Sequence, residues 1–136
     1  MEPYFLTLEF VLEQHKIMIE KYGGSHGIRD MNGLESALNM PKASFGGQFL
    51  HPDLYAMAAA YLFHITKNHP FVDGNKRIGT FAALAFLDIN GIEIITDPDD
   101  LADFVLSIAR SEVDKNKIAD YLQSHAKPTH SERKTE

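Results

Sequence analysis

The sequence predicts an all-α fold. Apolar residues recur at three- and four-residue spacing over most of its 136 residues, and an alanine-rich segment is followed by one that is apolar on nearly every side. Only two short stretches, 41–47 and 92–96, read as anything but helix or turn.

The first helix is expected over about 7–22, where Leu8, Val11, Leu12, His15, Met18, Ile19 and Tyr22 share one face. Thr7 suits its N-cap and Gly23-Gly24 its stop. Gly33 to Leu38 reads as a short second helix. Pro41-Lys42-Ala43-Ser44-Phe45-Gly46-Gly47 has no helical period and reads as a loop or small hairpin. An alanine-rich helix follows over 52–67, with Asp53 acidic in its first turn, and Pro70 ends it. The next helix, about 75–90, carries Ile78, Phe81, Ala82, Leu84, Ala85, Phe86, Leu87 and Ile89 and stops at Gly91. These two helices form the expected core pair, joined by residues 68–74. Ile92 to Thr96 reads as a short strand or extended link. Asp97 then caps a helix with Pro98 in its first position, running to about Arg110, and a last helix covers about 114–125. Residues 1–125 read as one domain and 126–136, AKPTHSERKTE, as a polar flexible tail.

Composition narrows the function. Hydrophobic residues at 44% and charged residues at 24% are in the globular range. A net charge of −6 argues against direct nucleic-acid binding, which needs clustered cations. The absence of cysteine removes disulfides and thiolate metal sites and fits a reducing compartment. The N-terminus lacks a signal-peptide pattern, and the longest apolar stretch, 56–63, is too short to span a bilayer. A soluble cytoplasmic protein with no membrane partner is expected.

The chemistry concentrates in His69-Pro70-Phe71-Val72-Asp73-Gly74-Asn75-Lys76-Arg77. Gly74 to Arg77 stand at the head of a buried helix, where free backbone N–H groups and the dipole favour an anion. Lys76 and Arg77 oppose that dipole, an arrangement that a bound phosphate would offset. Asp73 suits Mg2+, which takes one or two carboxylates with phosphate oxygens. His69 can take a proton from a hydroxyl near neutral pH. Phe71 is the large apolar residue of the turn and points inward. Each residue has a plainer reading: His69 as a helix-end hydrogen-bonder, Asp73 or Asn75 as caps, Lys76 and Arg77 as solvated cations. Their coincidence on one turn favours phosphate. The remaining histidines, His15, His26, His51, His64, His125 and His130, are dispersed and lack helical metal-pair spacing.

This nine-residue stretch resembles the signature of the Fic/Doc (Fido) superfamily, and most of all its death-on-curing (Doc) branch of bacterial toxins. The likeness extends to Leu6-Thr7-Leu8-Glu9, Gly27-Ile28-Arg29-Asp30, Leu34-Glu35-Ser36-Ala37-Leu38 and Phe45-Gly46-Gly47. It implies a Fic/Doc-like helical bundle around the central buried pair, with residues 1–125 as the Fido domain. It implies His69 as the base, Asp73 as the Mg2+ ligand, Gly74, Asn75 and Lys76 as the anion pocket, Arg77 on a terminal phosphate and Phe71 as the anchor. Ala43, Ser44, Phe45 and Gly46 would form a flap that aligns a target peptide.

AMP-transferring relatives typically carry Gly where this chain has Lys76 and a second Arg where it has Thr80. The Doc branch carries Lys and lacks that Arg, and transfers the γ-phosphate of ATP to a threonine of elongation factor Tu, arresting translation. The resemblance therefore implies a toxin kinase with ATP and Mg2+ as cofactors and a Phd-like antitoxin as partner. The alternatives are an AMP or NMP transferase and a non-catalytic binding module. No inhibitory S/T-x-x-x-E-G/N segment is found in the chain.

Overall fold

The protein is described by a computed structural model over residues 2–128. Helix α1, Leu8–Tyr22, leads to α2, Met31–Asn39, and a short 3-10 turn, Met40–Lys42. Strands β1, Ser44–Phe45, and β2, Gln48–Phe49, form an antiparallel hairpin. Helices α3, Leu54–Asn68, and α4, Asn75–Ile89, follow, then β3, Ile92–Ile94, α5, Pro98–Ala109, α6, Lys115–Ser124, and β4, Ala126–Pro128. The fold is all-α, with two small antiparallel ribbons, β1–β2 and β3–β4. No helix among these residues is long and apolar enough to cross a membrane.

Helix α3 is the centre. It packs on α4, α6 and α2, and its run Met57 to Leu62 is almost fully enclosed. Ala58, Ala59 and Ala60 keep that helix slim, and Gly79 does the same for α4. A Cβ on Gly79 would lie 3.1 Å from Thr66 Oγ1 and 3.4 Å from Leu62 Cδ1. The two axes therefore approach closely, and the turn between them is held on a rigid pair. Ile78, Ala82, Ala83, Phe86 and Leu87 complete the α4 side of the core. Buried Tyr61 accepts the Leu6 N–H at 3.0 Å through its hydroxyl, pinning the N-terminal segment. Burial pushes that phenol up to about 12, although the Leu6 bond opposes the shift.

Local chemistry explains the boundaries. Thr7 accepts from Phe10 N–H, and Asp97 accepts from Asp99 and Asp100 N–H, as expected of caps. Asp53 lies one place earlier than its expected role. It caps α3 by accepting Ala56 N–H rather than sitting in the first turn. Residues 126–128, expected to open a polar tail, are instead strand β4, in which Ala126–Pro128 pairs with Ile92–Ile94. Residues 129–136, including His130, lie outside the described residues.

Candidate active site

Helix α3 stops at Asn68, and His69 turns the chain with φ 52 and ψ 53. A left-handed conformation costs a non-glycine residue about 1–2 kcal/mol, so the surroundings must hold it. Arg29 contributes to that hold. Its Nε donates to His69 O at 2.7 Å and its Nη2 to Asn68 O at 2.9 Å, closing the carbonyl end of α3 with a cation. The Arg29 and Asp30 N–H groups both donate to Pro70 O, and Val72 N–H donates to Gly27 O. Ile28 and Phe71 form an isolated antiparallel bridge. Segment 27–30 is thus the frame on which the turn is laid.

The inner side of the turn is closed by α1 and Asn75. Phe71 is buried and stacks on His15 with ring centres 3.8 Å apart and planes 10° apart. The buried His15 donates from Nε2 to Asp73 O at 2.8 Å. Asn75 is only 4% exposed, so the fate of its amide decides what it can offer. Its Oδ1 accepts Phe71 N–H at 2.9 Å, and its Nδ2 donates to Phe71 O at 3.0 Å and His69 Nδ1 at 3.1 Å. The Asn75 side chain therefore faces the loop. What Asn75 can give an anion is its backbone N–H.

The outer side is open. Asp73 is exposed, and its carboxylate is oriented by two backbone donors, Gly74 N–H at 3.0 Å and Ser25 N–H at 3.1 Å. Segment 24–25 can close on that carboxylate because Gly24 has no Cβ; one would lie 2.9 Å from Oδ2. Five α-helices of the described residues have a side-chain N-cap, from Thr7, Asp30, Asp53, Asp97 and Asp114. Helix α4 has none: it starts from Gly74 at φ 79. Ile78 N–H is the first of α4 to find a helical partner, Gly74 O, which leaves the N–H groups of 75–77 at an open helix end. Lys76 and Arg77 are exposed beside them, with the Arg77 guanidinium 4.9 Å from the centre of the Tyr22 ring. Backbone donors, a dipole and two cations together are an arrangement that can receive an anion such as phosphate.

Asp73 also fits a divalent cation of a particular kind. No cluster of three or more His, Cys, Asp or Glu side chains is placed to hold a metal among the described residues. One exposed carboxylate beside a helix end that can receive phosphate suits Mg2+, which shares its coordination between protein and phosphate oxygens.

The β1–β2 hairpin turns through Gly46 and Gly47, both with positive φ, and Ala43 O accepts Leu50 N–H at 2.9 Å. Phe49 anchors it edge-on against Phe5, while Phe45 is 83% exposed at the tip beside Ser44. No hydrogen bond joins this hairpin to the 69–77 turn among the described residues. The residues that sequence reasoning missed are His15, Ser25 and Arg29. Each reaches the turn from at least 40 positions away, and only Arg29 fell in a segment that the family resemblance marked.

A second polar cluster sits on another part of α3. Lys115 Nζ donates to His64 Nε2 at 3.1 Å and His51 Nε2 at 3.3 Å, and lies 5.8 Å from the Phe63 ring centre. Burial, then the Lys115 and His51 charges, hold His64 down at about 4. Burial followed by Lys115 lowers His51 as well, and burial lowers Lys115 itself.

Comparison with known proteins agrees with this architecture. Residues 5–87, a span containing the whole turn, match the model of the Fic/DOC family. The chain is 36% identical over 107 residues to Toxin Doc of Mycolicibacterium smegmatis, covering 77% of this chain and 82% of that protein. It is 31% identical over 118 residues to Protein kinase doc of Escherichia phage P1, covering 87% and 92%. The chain belongs to the Fic/DOC family, on its Doc branch.

Proposed function

We propose that this protein is a Doc-type toxin that transfers the γ-phosphate of ATP to a hydroxyl of a target protein. The observation that carries the reading is the uncapped head of α4, flanked by Lys76, Arg77, Asp73 and His69. The relatives named Toxin Doc and Protein kinase doc support it. Backbone N–H groups 75–77 and Lys76 would receive phosphate oxygens, and Arg77 would swing from Tyr22 to the terminal phosphate. Asp73 would hold Mg2+, which neutralises phosphate charge when bound. His69 would remove the target hydroxyl proton as the oxygen bonds to phosphorus and the bridging oxygen leaves with ADP. Positioning is the main contribution of the protein in such transfers.

Thr80 favours phosphate over AMP transfer. Its hydroxyl donates to Lys76 O at 2.8 Å, so the position where AMP-transferring relatives carry a second cation is engaged with the helix backbone. The exposed Phe45 strand and its neighbours Ala43, Ser44 and Gly46 are the proposed peptide flap. The proposed target is a threonine of elongation factor Tu, and the proposed inhibitor a Phd-like antitoxin.

Intact-mass spectrometry of elongation factor Tu after incubation with this protein and Mg2+-ATP tests the reading. A gain of about 80 Da, phosphate rather than the about 329 Da of AMP, that vanishes with His69→Asn is the expected result. An AMP gain would assign the protein to nucleotidyl transfer. An unmodified factor would remove it as the target and send the search to other lysate proteins.

A further inference from the structure

We propose that Asn75 is a positioning residue that sets where the ring hydrogen of His69 lies, holding the nucleotide-free protein in the Nε2–H form. The inference rests on the reading of His69 as the proton acceptor.

The orientation of the Asn75 amide is determined by Phe71. Phe71 N–H needs an acceptor and Phe71 C=O needs a donor, and turning the amide over would break both bonds. Nδ2 therefore points its second hydrogen at His69 Nδ1. A nitrogen that receives a hydrogen bond carries a lone pair, so the neutral ring keeps its hydrogen on Nε2. His69 thus meets an incoming phosphate oxygen as a donor.

Taking a proton from a hydroxyl demands the opposite arrangement. The O–H bond breaks, the hydrogen goes to Nε2, and the ring's other hydrogen must sit on Nδ1. The Asn75 Nδ2–H group opposes that at close range. Asn75 is buried and doubly tied to Phe71, whereas His69 is exposed. The part that moves is the His69 ring, which must turn away from Asn75 before it can act as a base. The Asn75 side chain touches neither phosphate nor hydroxyl in this scheme; it acts through His69.

Nitrogen-15 NMR of the nucleotide-free protein reads this directly. The measurement belongs at about pH 8.5, two units above the ordinary histidine pKa, with His69 signals assigned by their loss in His69→Gln. In the expected result, the His69 nitrogen coupled strongly to both ring C–H protons is the protonated one. A bare Nε2, or signals averaged between both forms, overturns the proposal. Asn75→Asp supplies the second arm. It is isosteric, keeps an acceptor for Phe71 N–H, and presents an acceptor to Nδ1. It should shift Nδ1 from the bare to the protonated range while the other histidine signals stay in place. A folded Asn75→Asp protein that retains Nε2–H removes Asn75 as the cause. If that variant does not fold, the tautomer of the unaltered protein alone decides. A failure of phosphate transfer would sink the functional reading and leave the ring measurement unaffected, and the wrong tautomer would do the reverse.

Discussion

Helix α3 carries a polar cluster at each of two places, and they are built on opposite principles. At its C-terminal end, the backbone of the 69–74 turn is satisfied from outside, by Arg29, Asp30, Gly27 and His15. The side chains of His69, Asp73, Lys76 and Arg77 are left at the surface. At His64, the side chains face one another: both imidazole Nε2 atoms receive the Lys115 ammonium. Burial then depresses the protonation of all three groups. Displaced titration is often used to find functional sites, although structural clusters produce it too. Here the displaced groups of the Lys115 cluster turn their nitrogens toward one another. A backbone satisfied from outside, supporting side chains left at the surface, is the better marker.

The largest separation between the two clusters is in activity. His69→Asn removes the proposed proton acceptor but keeps a residue type that tolerates left-handed φ. Phosphate transfer should fall by about 10²–10⁴-fold, with the urea midpoint nearly unmoved. A folded variant with full transfer would falsify the base role of His69 and, with it, the outward-facing reading of the turn.

Arg29→Ala tests the frame rather than the chemistry. It removes two charge-assisted bonds from the end of α3. Hydrogen bonds to charged groups are worth about 1.5–3 kcal/mol, and because Arg29 is exposed the lower end applies. Urea denaturation should show a loss of about 1.5 kcal/mol, accompanied by reduced transfer as the turn loosens. Unchanged stability with unchanged transfer would show that the 27–30 backbone bonds hold the turn by themselves.

The Lys115 cluster should respond to pH. His64 has a folded-state value of about 4 against 6.5 ordinarily. Between those values the unfolded chain binds more protons, so stability is fully present above pH 6.5 and declines as pH falls toward 4. Lys115→Met removes the charge contribution and leaves the larger burial contribution. The acid-side decline should therefore become shallower without disappearing. Transfer near neutral pH should stay within about twofold, the range of a surface change away from the site. A variant with the same acid profile would show that Lys115 does not couple to His64.

These differences also mark what the sequence made legible. Helix periods, the Thr7 cap and the Asp97-Pro98 start are local signals, and they placed the helices within a residue or two. Strand β4 was not legible, because Ala126-Lys127-Pro128 has no strand alternation and is extended by pairing with β3. The turn was legible as a contiguous motif, and Phe71 packs inward as its size requires. The inward direction of the Asn75 amide was not, since it depends on Phe71 presenting a donor and an acceptor together. His15 reaches the turn across 58 positions, and Lys115 reaches His51 across 64. Period and spacing cannot express such contacts.

The smallest predicted effect is the sharpest check on the comparison. Thr80 lies on α4 within the first two turns after the proposed phosphate seat, close enough to be mistaken for part of it. Its hydroxyl is engaged with Lys76 O, a back-bond that gives the helix little stability. By the criterion drawn from the two clusters, a hydroxyl turned back onto its own helix rather than outward contributes no chemistry. Thr80→Ala should change transfer by less than about twofold, as at positions outside a site. Stability should rise by up to about 0.5 kcal/mol, since alanine is the better helix former. A tenfold loss of transfer in a folded Thr80→Ala protein would mean that the hydroxyl leaves the helix for the nucleotide. The division between outward-facing and inward-turned groups would then fail at the head of α4, where it matters most.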